Sequence, residues 1–211
     1  MRSAARLGMV IGWLAAGATA ALAQGARSGV GAQVGYSRAD LSGSDADQVR
    51  SRQGALTGVY LSAPLSGILS ARPELLFALK GGRTAAILEG GGSVLLDIEL
   101  AYLELPLLLR VSLPTGSVRP VLFTGPAPAL QIGCDLALVV PGAPVRATCD
   151  EAEFDVIRKL DIGFVAGGGV EWRWSQASLG LEARYTSGVR SIIDGSDVRN
   201  QAVGILVSLT F

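Results

Sequence analysis

Apolar residues return at every second position along much of this chain. In 103–111, Leu103, Leu105, Leu107, Leu109 and Val111 share one face, and Glu104, Pro106, Leu108 and Arg110 share the other. Neighbouring side chains of a strand point to opposite sides, so an extended segment collects these charges on one face, whereas a helix would scatter them around a cylinder. Residues 69–80 behave alike, with Leu69, Ala71, Pro73, Leu75, Phe77 and Leu79 against Ser70, Arg72, Glu74, Leu76, Ala78 and Lys80. The rhythm recurs at 30–36, 162–172 and 179–185, and in the closing VGILVSLTF, where Val203, Ile205, Val207, Leu209 and Phe211 alternate with Gly204, Leu206, Ser208 and Thr210. Residues 54–62 and 118–133 are less regular and also read as strands; Pro126 and Pro128 predict a bend or an early end in the second.

These segments make about eight strands. Tight turns are expected at 63–67, 113–117 and 174–177, alternating strictly with long connections at 40–53, 81–96, 134–159 and 189–200. That alternation predicts an all-β fold, an antiparallel up-and-down transmembrane β-barrel with short turns at one end and long loops at the other. A bilayer forces backbone groups to pair internally, so strands span only in a closed sheet. The oily face then meets lipid and the charged face lines the interior. Both ends of the barrel domain fall on the periplasmic side, the long loops are extracellular, and Phe211 sits in the periplasmic aromatic girdle. A soluble sandwich or lipocalin-like binder is the rival, and it would need another cover for the outward leucines.

Composition sharpens this picture. Of 211 residues, 49% are hydrophobic and only 17% charged. Lysine plus arginine (18) equals aspartate plus glutamate (18), which leaves no basic field to recruit nucleic acid. Histidine is absent, which removes the usual general base and the commonest metal ligand. The first segment has a positive start at Arg2 and Arg6, an apolar stretch from Leu7 to Ala18 and a small-x-small site at Ala21-Leu22-Ala23. Residues 1–23 therefore read as a signal peptide and 24–211 as the barrel domain.

The stretches YLELPLLLRVSL, VRPVLFTGPAPAL, DIGFVAGGGVEW and LGLEARYTSGVRSI resemble the porin-family outer-membrane β-barrel domain, which includes PorT-like proteins and the OmpA-like eight-stranded barrels. Pro120 and Gly125-Pro126 match its pattern. The resemblance spans most of residues 24–211 and implies a bacterial outer-membrane location. The apolar final strand ending in Phe211 likewise resembles the signal by which such barrels are recognised by their insertion machinery.

Candidate chemistry concentrates inside. Arg72, Glu74, Lys80, Glu104, Arg110, Glu171, Glu182 and Arg184 are expected to face the lumen. Four basic and four acidic groups must largely pair there, because unpaired buried charge is costly. They form either a constriction that guides ions or a salt-bridged filling, and about eight strands leave an interior that side chains mostly fill. Glu171 and Glu182 could face each other as a carboxylate pair, but nothing in the sequence points to catalysis by them. Cys134 and Cys149 bracket one long loop, and an exported chain favours a disulfide between them. Asp150, Glu151, Glu153 and Asp155 in that loop lack the pattern of a calcium loop and read as a solvated acidic run, as Asp194 to Asp197 reads as a turn. Glycines at 90–92 and 167–169 are not followed by Lys-Ser/Thr, so neither is a phosphate loop. Tyr102, Trp172, Trp174, Tyr185 and Phe211 are interface anchors or lumen filler. No cofactor or metal site is expected.

The resulting expectation is a porin-like or structural membrane barrel, not an enzyme, working as a monomer among outer-membrane lipid and lipopolysaccharide. The alternatives are a surface interaction barrel that binds through its external loops, or, by resemblance to PorT-like proteins, an accessory to protein secretion.

Overall fold

The computed structural model describes residues 28–42, 49–87, 93–140, 143–149, 159–175, 177–189, 191 and 198–211. The segment read as a signal peptide, the acidic run at 150–155, the glycines at 90–92 and the turn at 194–197 lie outside the described residues.

The strands are β1 (Gly29–Ser42), β2 (Val49–Ser66), β3 (Leu69–Ile87), β4 (Ser93–Glu104), β5 (Leu107–Ser112), β6 (Val118–Val140), β7 (Ala143–Thr148), β8 (Leu160–Trp174), β9 (Ala177–Gly188) and β10 (Arg199–Thr210). Every pairing is antiparallel. The sheet closes because β10 pairs with β1, giving a ring of eight positions in which β4 and β5 share one place between β3 and β6. β7 lies off the ring, on the outer part of β6. Closure leaves no sheet edge in the ring, which is what a hydrocarbon solvent demands.

The two-residue rhythm sorts the side chains. Val34, Leu75, Leu109, Leu122, Leu181 and Ile205 are exposed on the outer surface, while Arg72, Leu76, Leu108, Glu182 and Leu206 are buried within. Trp172, Trp174 and Phe211 lie on the outer face near the turns. On β1 the apolar band runs to exposed Tyr36, and exposed Arg38 and Asp40 follow. Tyr102 is instead fully buried inside the barrel.

Two local expectations are corrected. β6 does not stop at its prolines; it runs 23 residues through both. The Pro128 carbonyl accepts from Leu105 N at 2.8 Å, so the donor that Pro128 lacks points at the place where β4 gives way to β5. In antiparallel pairing a residue's N–H and C=O face the same neighbour, so the missing donor meets the interruption at Leu105-Pro106. A bulge follows at Ile132, where Ala101 pairs with Gly133 but Tyr102 with Gln131. The extra residue reverses the facing of β6: Val121 to Ala129 point inward on odd positions, whereas Leu136 and Cys134 do so on even ones.

The second correction concerns the long connections. Residues 40–42, 49–53, 81–87, 93–96 and 134–140 are paired strand. With β2 at 18 residues, β3 at 19 and β6 at 23, these strands greatly exceed the roughly 9–11 residues that cross a bilayer. The sheet continues beyond the band as a projecting wall. At the other end the connections are short: Gly67 and Ile68 alone turn β2 into β3, with Gly67 at φ 52°.

Candidate functional site

The interior is built around Arg72. It stands on β3 beside Glu74, two residues on and therefore on the same face, and across the ring from Glu182 and Arg184 on β9. Arg72 Nε lies 3.0 Å from Glu74 Oε1 and Nη1 2.6 Å from Glu182 Oε1. Arg184 Nη1 reaches Glu74 Oε2 at 2.9 Å, and its Nη2 stands 3.7 Å from Glu182 Oε2. Arg110 on β5 links two carboxylates, Nη1 to Glu182 at 3.2 Å and Nη2 to Glu171 at 2.8 Å. Lys80 and Glu104 pair separately at 2.5 Å. All eight charged residues singled out in the sequence thus face the lumen, and each has an opposite charge in contact.

Several members of this layer are not evident from charge pattern. Gln33 on β1 accepts from Arg72 Nη2 at 2.7 Å and donates to Glu74 Oε2 at 3.0 Å, so its amide closes a ring of bonds. Tyr60 on β2 lies under Arg72, with the guanidinium carbon 3.7 Å from the ring centroid, and its hydroxyl meets Thr210 Oγ1 at 2.7 Å. The ring fits because position 31 is glycine: a Cβ there would overlap Tyr60. Both residues follow the period, since Gln33 is the one large polar side chain on the glycine-rich face of β1, and Tyr60 shares its face with Leu56 and Gly58.

Burial at this level is complete. Arg72 is 0% exposed, Glu74 and Glu182 1%. Toward the end away from the turns, an apolar cluster of Leu56, Ala78, Leu100, Tyr102, Ala129, Val198 and Leu206 fills the barrel. A second cluster of Leu108, Phe123, Ala127 and Val165 packs on the β5–β6–β8 side. Asn200 Nδ2 donates to Tyr102 Oη at 3.3 Å and to Asp161 Oδ2 at 3.1 Å. The lumen is therefore occupied by a matched ionic layer and an apolar layer in series.

Glu171 and Glu182 do not form a free carboxylate pair; the Arg110 guanidinium bridges them. Outside the lumen, Arg52 on β2 pairs with Asp97 at 2.9 Å and with Glu99, and Arg83 meets Asp97 at 3.1 Å, all on the projecting parts of β2, β3 and β4. Cys134 and Cys149 are joined by a disulfide with Cα atoms 5.5 Å apart, and Cys149 N donates to Cys134 O at 3.1 Å. That link ties the base of the β6–β7 hairpin and touches none of the ionic layer. Among the described residues, no group of three or more Cys, Asp or Glu is placed to hold a metal.

A family model described as "Outer membrane protein beta-barrel domain" matches residues 22–194. The chain belongs to that family. It is an outer-membrane barrel of bacteria. No curated protein is significantly similar to this family member in sequence. Its shape is similar to several solved structures. Neisserial surface protein A is 14% identical with a TM-score of 0.48, covering 86% of this chain and 97% of its own. Ail, the attachment invasion locus protein of Yersinia pestis, is 10% identical with a TM-score of 0.43, covering 88% and 99%. The outer membrane enzyme PagL is 12% identical with a TM-score of 0.48, covering 85% and 97%.

Proposed function

We propose that this protein is a structural, non-conducting barrel of the outer membrane, with its turns in the periplasm and its long strands projecting from the cell. The observation that supports it is the complete burial of Arg72, Glu74 and Glu182 across the lumen. A hydrated ion passing this level would have to displace paired guanidinium and carboxylate groups and then cross the apolar cluster around Leu100 and Leu206. Separating one such buried pair costs about 3–5 kcal/mol. Catalysis is no part of this reading, because the interior carboxylates are engaged by cations.

The test is solute leakage from proteoliposomes. Refolded protein should leave entrapped potassium and small sugars in place at the rate of empty vesicles; rapid release would overturn the reading. Insertion through recognition of the last strand belongs to the same proposal, and removing the Phe211 side chain should slow assembly.

A second reading is favoured by the projecting wall. β2, β3, β4, β6 and β7 extend paired backbone past the apolar band, with a disulfide at the hairpin base. Such an extension suits a barrel that meets a surface, lipopolysaccharide or a partner through its outer end. Removing β7 with its flanking connections should then abolish attachment to that partner while leaving a folded barrel.

A further inference from the structure

The turn end of the barrel holds a cavity of about 520 Å³, within the roughly 300–1,000 Å³ range of small-molecule sites. It opens between the turns and is floored by Tyr60 and Arg110, below the ionic layer. Its charged lining is unequal. Among its side chains, Arg110, Arg119 and Arg173 contribute three guanidinium groups and Glu171 one carboxylate; the main chain of Phe211 also lines it.

The sheet register produces this convergence. Arg119 on β6 lies directly opposite Glu171 on β8, and Arg173 follows two residues later on the same face. Arg110 Nη2 holds Glu171 at 2.8 Å, and Arg173 Nε stands 3.7 Å from its other oxygen. Arg119 Nε donates to the Gly116 carbonyl at 3.3 Å. Among the described residues, no acceptor bonds the terminal N–H groups of Arg119 and Arg173. Arg110 is buried, and its Nε has no partner there either. Around them stand hydroxyls from Ser62, Ser70, Ser112, Ser178 and Thr210.

We propose that this vestibule binds a phosphate group. Forked guanidinium donors match phosphate oxygens two at a time, and the hydroxyls supply further donors. A phosphate accepts from more donors than a carboxylate, and a phosphate monoester also carries more charge, which suits the unbonded guanidinium N–H groups of Arg119 and Arg173. The phosphate comes either from a soluble phosphate ester or from a phospholipid headgroup at the adjoining membrane surface. This inference is independent of whether the lumen above conducts.

The test is calorimetric titration of the refolded full barrel, in non-ionic detergent, with inorganic phosphate, glycerol 3-phosphate and acetate. Saturable one-to-one binding of the phosphates is expected, weaker for acetate by about tenfold or more. The double variant Arg119→Gln/Arg173→Gln should weaken phosphate binding by about tenfold or more while keeping the gel mobility of the folded barrel. Phospholipid nanodiscs in place of the non-ionic detergent should suppress the soluble phosphate signal if a headgroup is the source, and leave it unchanged if an ester is. Absence of saturable phosphate binding, equal affinity for acetate, or full binding by the folded double variant would overturn the proposal.

Discussion

Arg72 and Glu182, 110 residues apart in sequence, meet across the lumen with Nη1 and Oε1 separated by 2.6 Å. The contact joins opposite sides of the ring, β3 to β9, and both side chains are shut off from solvent. A single truncation therefore leaves the buried layer with one charge in excess.

Arg72→Ala should destabilise the barrel by about 3–5 kcal/mol, because Glu74 and Glu182 lose a shared cation in a buried site. Arg72→Met with Glu182→Leu should recover much of that loss, since a matched apolar replacement removes the stranded charge as well. Urea unfolding in lipid vesicles of Arg72→Ala, Arg72→Met, Glu182→Leu and the double variant measures both effects, and additive losses for the last three would contradict the coupling.

Position 31 needs the absence of a side chain. Gly31→Val should force Tyr60 off the Arg72 guanidinium and cost about 1–3 kcal/mol through overpacking. Tyr60→Leu in the Gly31→Val background should relieve part of that strain, read in the same unfolding assay.

The outer face tests the lipid boundary. Val207, opposite Val34, is exposed in mid-band, whereas its neighbour Ser208 is buried inside. Val207→Arg should cost about 2–4 kcal/mol if that face meets hydrocarbon at its centre. Equal stability of wild type and variant in bilayers would place this face in water.

The disulfide acts apart from the ionic layer. Unreduced protein should show no thiol reactive to maleimide, and reduction should loosen the β6–β7 hairpin by about 3 kcal/mol. The ring itself should keep its heat-modifiable migration, because the disulfide joins β6 to the end of β7, which lies off the ring. Loss of the folded band on reduction would show that the clamp holds the whole barrel.

How legible this was depends on what surrounds each residue. Within the bilayer one face of every strand meets lipid, so the alternation at 69–80 and 103–111 reports the facing of Arg72, Glu74 and Arg110 directly. Toward the long-loop end the alternation in the sequence fades, and strand residues such as 81–87 and 134–140 read as loop. Alternation also fixes a side chain's face but not its height, which is set by pairing between strands. That is why the sequence does not bring Gln33 and Tyr60 into the ionic layer, or Arg119 opposite Glu171. Prolines were misleading for a related reason: Pro128 is harmless only because the neighbouring position is broken at Pro106, a fact about two strands. The bulge at Ile132, which turns Cys134 inward, has no glycine or proline at that residue to announce it.

Single-channel recording in a planar bilayer tests the closed lumen most directly. Wild-type protein, inserted and shown to be folded by its unheated gel mobility, should carry no resolvable current in molar potassium chloride. Steady unitary steps from that same folded protein would mean that ions pass the Arg72–Glu182 layer, and the reading of a filled, structural barrel would fail.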